Sequence, residues 1–522
     1  MIDPLPQLFV DAVTYSEPDP QKQQELHERD RIARWFTIAA SGSGGGYARL
    51  RVTDRFRELC DPGISGNRWS LNQYPSFVSF IGDTCVGKST LLRAMLLMGI
   101  VNPSGYDSDS NANFANEKEM AMSKMKKVIA EGAYGPVTRT ADYRRLTDPT
   151  SLGVHIYKDK YVSPDQETHR DDHTHRSFPI LFADCEGFRA GIATTNSERA
   201  GPLNRIRGVD LDRSPDPVGD ADQSLILDNT SVGSGNVISD EPIIASSYGY
   251  GGKDGVELFY ARFLYTISDV VVFVTKNDTT LQVEMERVLE WASSAVFKSV
   301  NQAARRSLII VRNMAGFHDS HLYDKEVLKS SLLGNLKPFW EGSAELARFR
   351  HEYNKSQHRY DLKIHDNRDL FQLFFQEISV CYIPDKARAE NDDVFEQYRE
   401  LRRLIVHASH ESQIRKARSL MQHNVPTLTH VLKRAFEHFR TSNSPFDFYD
   451  AARKDNPNPV SMADHISNFL RHFHDSQNTT HGQDVIVSQV VSISLVSWAL
   501  RTFKRSYLVT SIQVGNFSMA NR

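Results

Sequence analysis

Short apolar runs alternate with amphipathic segments through the middle of the chain. Phe77–Ile81, Gly153–Tyr157, Ile180–Ala183, Val270–Thr275, Leu308–Val311 and Ile378–Ile383 read as strands. Val270–Thr275 is a β-branched run, the signature of a strand buried on both faces. Ser89–Met98, Val256–Ile267 and Leu281–Ala292 read as helices between them. Strands alternating with helices predict an α/β fold, a mostly parallel sheet with helices on both faces in three layers. That domain is expected over residues 71–392, with insertions at 102–134, 192–255 and 335–367. The second insertion is rich in Gly, Ser, Asp and Pro and is expected to be mobile. Residues 1–70 read as an N-terminal extension: Gln21–Trp35 is helix-compatible, and the SGSGGG run Ser41–Gly46 has linker composition. Residues 393–522 read as a helical C-terminal extension, with helices at Phe395–Val406, Gln413–Gln422 and Thr427–Arg440.

The strand at Phe77–Ile81 runs into Gly82-Asp83-Thr84-Cys85-Val86-Gly87-Lys88-Ser89-Thr90, and a helix follows at once. This is the GxxxxGK[ST] spacing of a phosphate-binding P-loop in its required strand–loop–helix context. Glycines let the backbone wrap closely around phosphate oxygens, and the helix N-terminus aims its N–H groups at negative charge. Lys88 is expected to reach the β- and γ-phosphates, and the Ser89 hydroxyl to bind Mg²⁺. Ile180–Ala183 ends in Asp184-Cys185-Glu186-Gly187, a DxxG sequence. Asp184 at the carboxyl end of its strand can hold Mg²⁺ through water. Gly187 can bring its N–H to the γ-phosphate. Thr150, just before the Gly153–Tyr157 strand, is the first choice for a second Mg²⁺ ligand; the run Val137-Thr138-Arg139-Thr140 is the alternative, and ordinary loop threonines are the third reading.

DxxG with Glu in third place resembles the guanylate-binding-protein and atlastin branch of the dynamin-like large GTPases. The segments Val78-Ser79-Phe80-Ile81-Gly82, Ala183-Asp184-Cys185-Glu186-Gly187 and Ser268-Asp269-Val270-Val271-Val272-Phe273-Val274 also resemble a group of fungal P-loop proteins. The resemblance covers about residues 75–390 and implies a GTPase-type domain that binds GTP·Mg²⁺ and hydrolyses it slowly. In GTPases the guanine-reading motif follows the second strand after DxxG, which points to Arg312-Asn313 rather than Thr275-Lys276-Asn277-Asp278. Asn313 would stand where a carboxylate or the Asn of NKxD is usual. An amide offers one acceptor and a competing donor, so guanine preference is weakened and ATP remains a second candidate. Phe188 occupies the place of a Ras-type catalytic Gln, and Cys85 that of the guanylate-binding-protein arginine. Arg189 and Arg205 are near enough in sequence to substitute, but no catalytic residue is assigned. A nucleotide-gated interaction module with little turnover, reading the γ-phosphate through its helical C-terminal region and an unidentified protein partner, is the rival reading.

Composition narrows the field further. The 522 residues are 40% apolar and 24% charged, ordinary for a globular chain. A net charge of −3 supplies no basic field for nucleic acid. Four scattered cysteines with no CxxC pair suggest free thiols in a reducing, cytoplasmic setting. The first residues lack a signal-peptide pattern. The apolar stretch Val485–Leu500 is too short and too interrupted by serine for a transmembrane segment. His169, His173 and His175 read as a solvated loop rather than a metal site.

Overall fold

The computed structural model describes residues 4–15, 17–40, 48–60, 73–83, 86–101, 114–131, 135–138, 153–159, 178–185, 193–194, 237–243, 253–276, 281–296, 299–300, 305–315, 329–330, 336–356, 363–419, 421–442, 446–448 and 451. In chain order the elements are α1 (Pro4–Thr14), α2 (Pro20–Asp30), β1 (Arg34–Ala40), β2 (Ala48–Thr53), α3 (Arg55–Cys60), β3 (Ser76–Gly82), α4 (Lys88–Val101) and α5 (Phe114–Glu131). They continue with β4 (Val154–Lys158), β5 (Ile180–Cys185), β6 (Ala193–Thr194), β7 (Val237–Pro242), α6 (Lys253–Ile267), β8 (Val270–Thr275), α7 (Leu281–Val296), β9 (Ser299–Val300) and β10 (Arg306–Ala315). Then come α8 (Phe339–Gly342), α9 (Ala344–Ser356), α10 (Asn367–Phe374), β11 (Phe375–Pro384), α11 (Asn391–Arg418), α12 (Val425–Thr441) and β12 (Phe446–Asp447).

A ten-stranded sheet runs β11-β10-β8-β3-β5-β4-β1-β2-β7, with β6 beside β1. β5, β3, β8, β10 and β11 are mutually parallel. From β5 outward the pairing turns antiparallel, through β4, β1, β2 and β7. The sheet is therefore mixed, which corrects the expectation of a mostly parallel one. The strands that carry the correction are β4, an expected core strand, β1 and β2 from the expected N-terminal extension, and β7 from the 192–255 insertion. Arg34–Ala40 holds Trp35, Phe36 and Ile38, all buried, so it pairs inside the sheet rather than trailing from it. Apart from β6, Ile243 and the first turn of α6, the rest of that insertion lies outside the described residues, and its expected mobility with it.

Helices cover both faces of the sheet, and strand parity shows which side chains meet which layer. Val78, Phe80 and Phe182 join Leu91, Leu92 and Met95 of α4, Leu401 and Ile405 of α11, Phe9 and Val13 of α1, and Met125 of α5 in one apolar cluster. Phe77 has the opposite parity. Trp35 stacks on it at 5.5 Å and also meets Phe263 of α6 and Phe436 of α12. α7 packs beside α6 through Trp291 against Tyr265 at 5.4 Å.

α11 is one continuous helix of 28 residues, not the two expected, because nothing between Val406 and Gln413 breaks it. It lies on the sheet: Arg402 forms a fully buried ion pair with Asp159 at 2.6 Å, and Ser412 and Lys416 each reach Asp269 at 2.5 Å. Residues 1–298 and 303–445 group into one compact unit. A second unit takes residues 299–302 and 446–522; of it, β9 and β12 are described and pair in parallel. Among the described residues no helix is long and apolar enough to cross a membrane. Val485–Leu500 lies outside them.

Candidate functional site

The parallel strands β3, β5, β8, β10 and β11 end on one side of the sheet, where open α/β sheets gather ligands. Gly82 closes β3 with φ +145°, and a Cβ there would run into the Val274 carbonyl oxygen of β8. Only glycine lets the chain leave the strand so close to its neighbour. Gly87 has φ +89°, and a Cβ there would strike the Asn313 side-chain nitrogen. The helix α4 starts at Lys88, and its first backbone bond runs from the Leu91 N–H to the Gly87 carbonyl at 2.9 Å. The N–H groups of its first turn have no partners within the helix.

Lys88 is buried and folds back across the loop, donating to the Asp83 carbonyl at 2.7 Å and the Gly82 carbonyl at 3.2 Å. The Ser89 hydroxyl donates to Asp184 Oδ2 at 2.6 Å, joining residues 95 positions apart. Asp184 is 1% exposed, and its Oδ1 has no hydrogen-bond partner. Burial raises the Asp184 pKa, against the opposing pull of the Ser89 hydroxyl and the Lys88 charge. Two hard oxygen donors with one carboxylate oxygen unsatisfied match what Mg²⁺ takes from protein, one or two ligands plus its own waters. Ser89 and Asp184 thus fit the cation expected of them. Neighbouring Cys185 is a free buried thiol whose pKa burial pushes up, which leaves it unreactive.

Asn313, near the end of β10, is buried and donates its Nδ2 to the Val86 carbonyl at 2.8 Å. The strand is thereby tied to the loop. Arg312 is half-buried, and consecutive strand residues face opposite sides, so Arg312 and Asn313 do not share a face. Met314 follows with φ 55°, a left-handed conformation rare outside glycine, and it is 41% exposed beside Gly87. Thr275 is buried at the end of β8 and Lys276 is exposed, while Asn277 and Asp278 lie outside the described residues. So do Thr84, Cys85, Thr140, Thr150, Gly187, Phe188, Arg189, Arg205 and the three histidines at 169, 173 and 175. Thr90 is half-buried in the first turn of α4. Thr138 is engaged elsewhere, donating to the Tyr15 carbonyl at 3.2 Å. Among the described residues no cluster of three or more His, Cys, Asp or Glu side chains could form a metal cage.

Two residues near this end carry no sequence signal. Arg287 of α7 lies 3.9 Å from the Asp83 carboxylate. His155 of β4 stands directly opposite Asp184 in the β4–β5 ladder. It is 5% exposed, and neither ring nitrogen has a partner. Burial, with Arg34, Arg55 and His27 nearby, lowers its pKa to about 3 and keeps the ring neutral. Both depend on pairing and packing between elements distant in sequence, which local pattern does not reveal.

No family model and no curated protein matches the chain.

Proposed function

We propose that this chain binds a nucleoside triphosphate as its Mg²⁺ complex at the carboxyl ends of β3 and β5, prefers GTP, and hydrolyses it slowly in a P-loop GTPase-type domain. The observation that carries the reading is the Ser89–Asp184 hydrogen bond at 2.6 Å, formed beside a glycine-bounded loop whose lysine is folded onto its own carbonyls. A bent loop, a helix N-terminus and a buried ammonium group together suit a chain of phosphates. Lys88 would exchange two carbonyl contacts for phosphate oxygens. Ser89 and Asp184 would hold Mg²⁺, which supplies charge neutralisation on the phosphates. The strand order also favours Asn313 as the base reader, since β10 is the second strand of the parallel run after β5 in sequence, following β8, which it lies beside.

Calorimetric titration of the full chain with GTP and with ATP, with and without Mg²⁺, tests this directly. Saturable, Mg²⁺-strengthened binding is expected in the wild type. Lys88→Ala should lose it while melting as one folded species. No binding by the wild type at millimolar nucleotide, or undiminished affinity in folded Lys88→Ala, would sink the proposal. A phosphate-release assay then reads turnover.

A further inference from the structure

His155 sits between Arg34 of β1 and Asp184 of β5 in the sheet ladder. Residues directly opposite on antiparallel neighbours leave the sheet on the same face, with Cβ atoms about 5 Å apart. The imidazole and the carboxylate that bonds Ser89 therefore leave the sheet on the same face, from directly paired positions. Both groups are buried, and both have unused polar atoms: Asp184 Oδ1 on one side, His155 Nδ1 and Nε2 on the other. A buried polar group left without a partner costs stability, whereas an apolar residue of similar size avoids that cost. The fold could have used leucine at this position. A neutral ring has one nitrogen that donates and one that accepts, and the residue paired with it across the β4–β5 ladder, Asp184, carries an unsatisfied acceptor.

We propose that His155 is a positioning residue for the metal-binding carboxylate, donating a ring N–H into the water layer around Asp184 Oδ1 when the Mg²⁺ nucleotide is bound. This rests on the nucleotide-binding reading above. Outer partners of this kind orient a ligand oxygen and raise its affinity for the metal, and losing one weakens metal binding about 10–100-fold.

The test compares wild type, His155→Leu and His155→Asn, with His155→Phe in place of leucine where that variant does not fold. Three quantities are read: melting temperature without ligand, GTP affinity in EDTA, and the Mg²⁺ concentration at which GTP binding is half-strengthened. The apolar variant should melt higher than wild type and bind GTP in EDTA equally well. Its Mg²⁺ midpoint should rise about 10–100-fold. The asparagine variant, which keeps a donor, should recover part of that shift. A wild-type Mg²⁺ midpoint in the apolar variant overturns the assignment. A lower melting temperature together with lost affinity in EDTA also overturns it, because that marks a packing role. Wild-type protein whose GTP binding ignores Mg²⁺ removes the underlying reading, and the role of His155 falls with it.

Discussion

At the residue scale, the most informative side chain is Asn313. An amide beside a base could present either its oxygen or its nitrogen. Here the nitrogen donates to the Val86 carbonyl at 2.8 Å, so in the proposed base-reading role the oxygen would be the accepting atom. One acceptor suits a guanine N–H and meets only half of what a carboxylate would satisfy. GTP should therefore be preferred over ATP by about 1–3 kcal/mol, the cost of one unmet buried polar group. Asn313→Ala should erase that preference, and it should also weaken binding of both nucleotides because the loop loses its tie to β10. Asp278→Ala should leave the preference intact. Parallel competition titrations read both variants, and loss of preference in Asp278→Ala alone would move the base reader to the end of β8.

At the element scale, helix α4 is held from behind by α11 through a buried charge pair. Arg402 and Asp159 have side chains 1% and 0% exposed, and Arg402 also donates to the Met95 carbonyl of α4 at 3.1 Å. Removing one member of a buried pair leaves the other charge stranded, at a cost of about 3–5 kcal/mol, while replacing both with apolar groups is often neutral. Arg402→Met should therefore lower the urea midpoint sharply, and Arg402→Met with Asp159→Leu should restore most of it. Equal destabilisation by the single and double variants would show that the pair itself contributes stability.

The same scale shows what local sequence could and could not convey. β3, β8, β10 and β11 were legible because their residues are apolar on successive positions, which only a strand covered on both faces tolerates. The glycine spacing of Gly82 and Gly87 stood out in the sequence, but the contacts that require those glycines, to Val274 and Asn313, are far away in the chain. β1 was not legible. Trp35 and Phe36 follow the charged run Gln21–Arg34, and a glycine-rich stretch comes next, so the local pattern reads as an appendage. What makes it a strand is its antiparallel pairing with the neighbouring β2, together with β4 and the aromatic layer of Phe77, Phe263 and Phe436, which lie farther away in sequence. His155 was hidden by the same non-locality, because its significance comes from the register that sets it opposite Asp184.

At the scale of the whole molecule, buried titratable groups make stability depend on pH in opposing ways. Asp30 is half-buried, and its carboxylate accepts from the Tyr157 hydroxyl at 2.8 Å and the Val137 N–H at 3.3 Å. Burial raises its pKa to about 7; the Asp184 charge adds to the rise, and the two hydrogen bonds and Arg93 oppose it. In the unfolded chain it titrates near about 3.9. The folded state thus holds this proton more tightly than the unfolded state does. Its contribution to stability is complete below about pH 4 and is lost as pH rises through about 7. His155 runs the other way: its contribution is complete above about pH 6.5 and is lost as pH falls toward 3. A wild-type melting curve mixes the two trends, so the difference between Asp30→Asn and wild type is the cleaner quantity. Asparagine cannot ionise, and whatever fixed cost it brings does not vary with pH. The melting temperature of Asp30→Asn relative to wild type should therefore climb from about pH 4 to about pH 7 and level off above. A difference that stays constant across that range would show that Asp30 keeps its ordinary titration in the folded protein, and that the enclosure around Tyr157 is open to water.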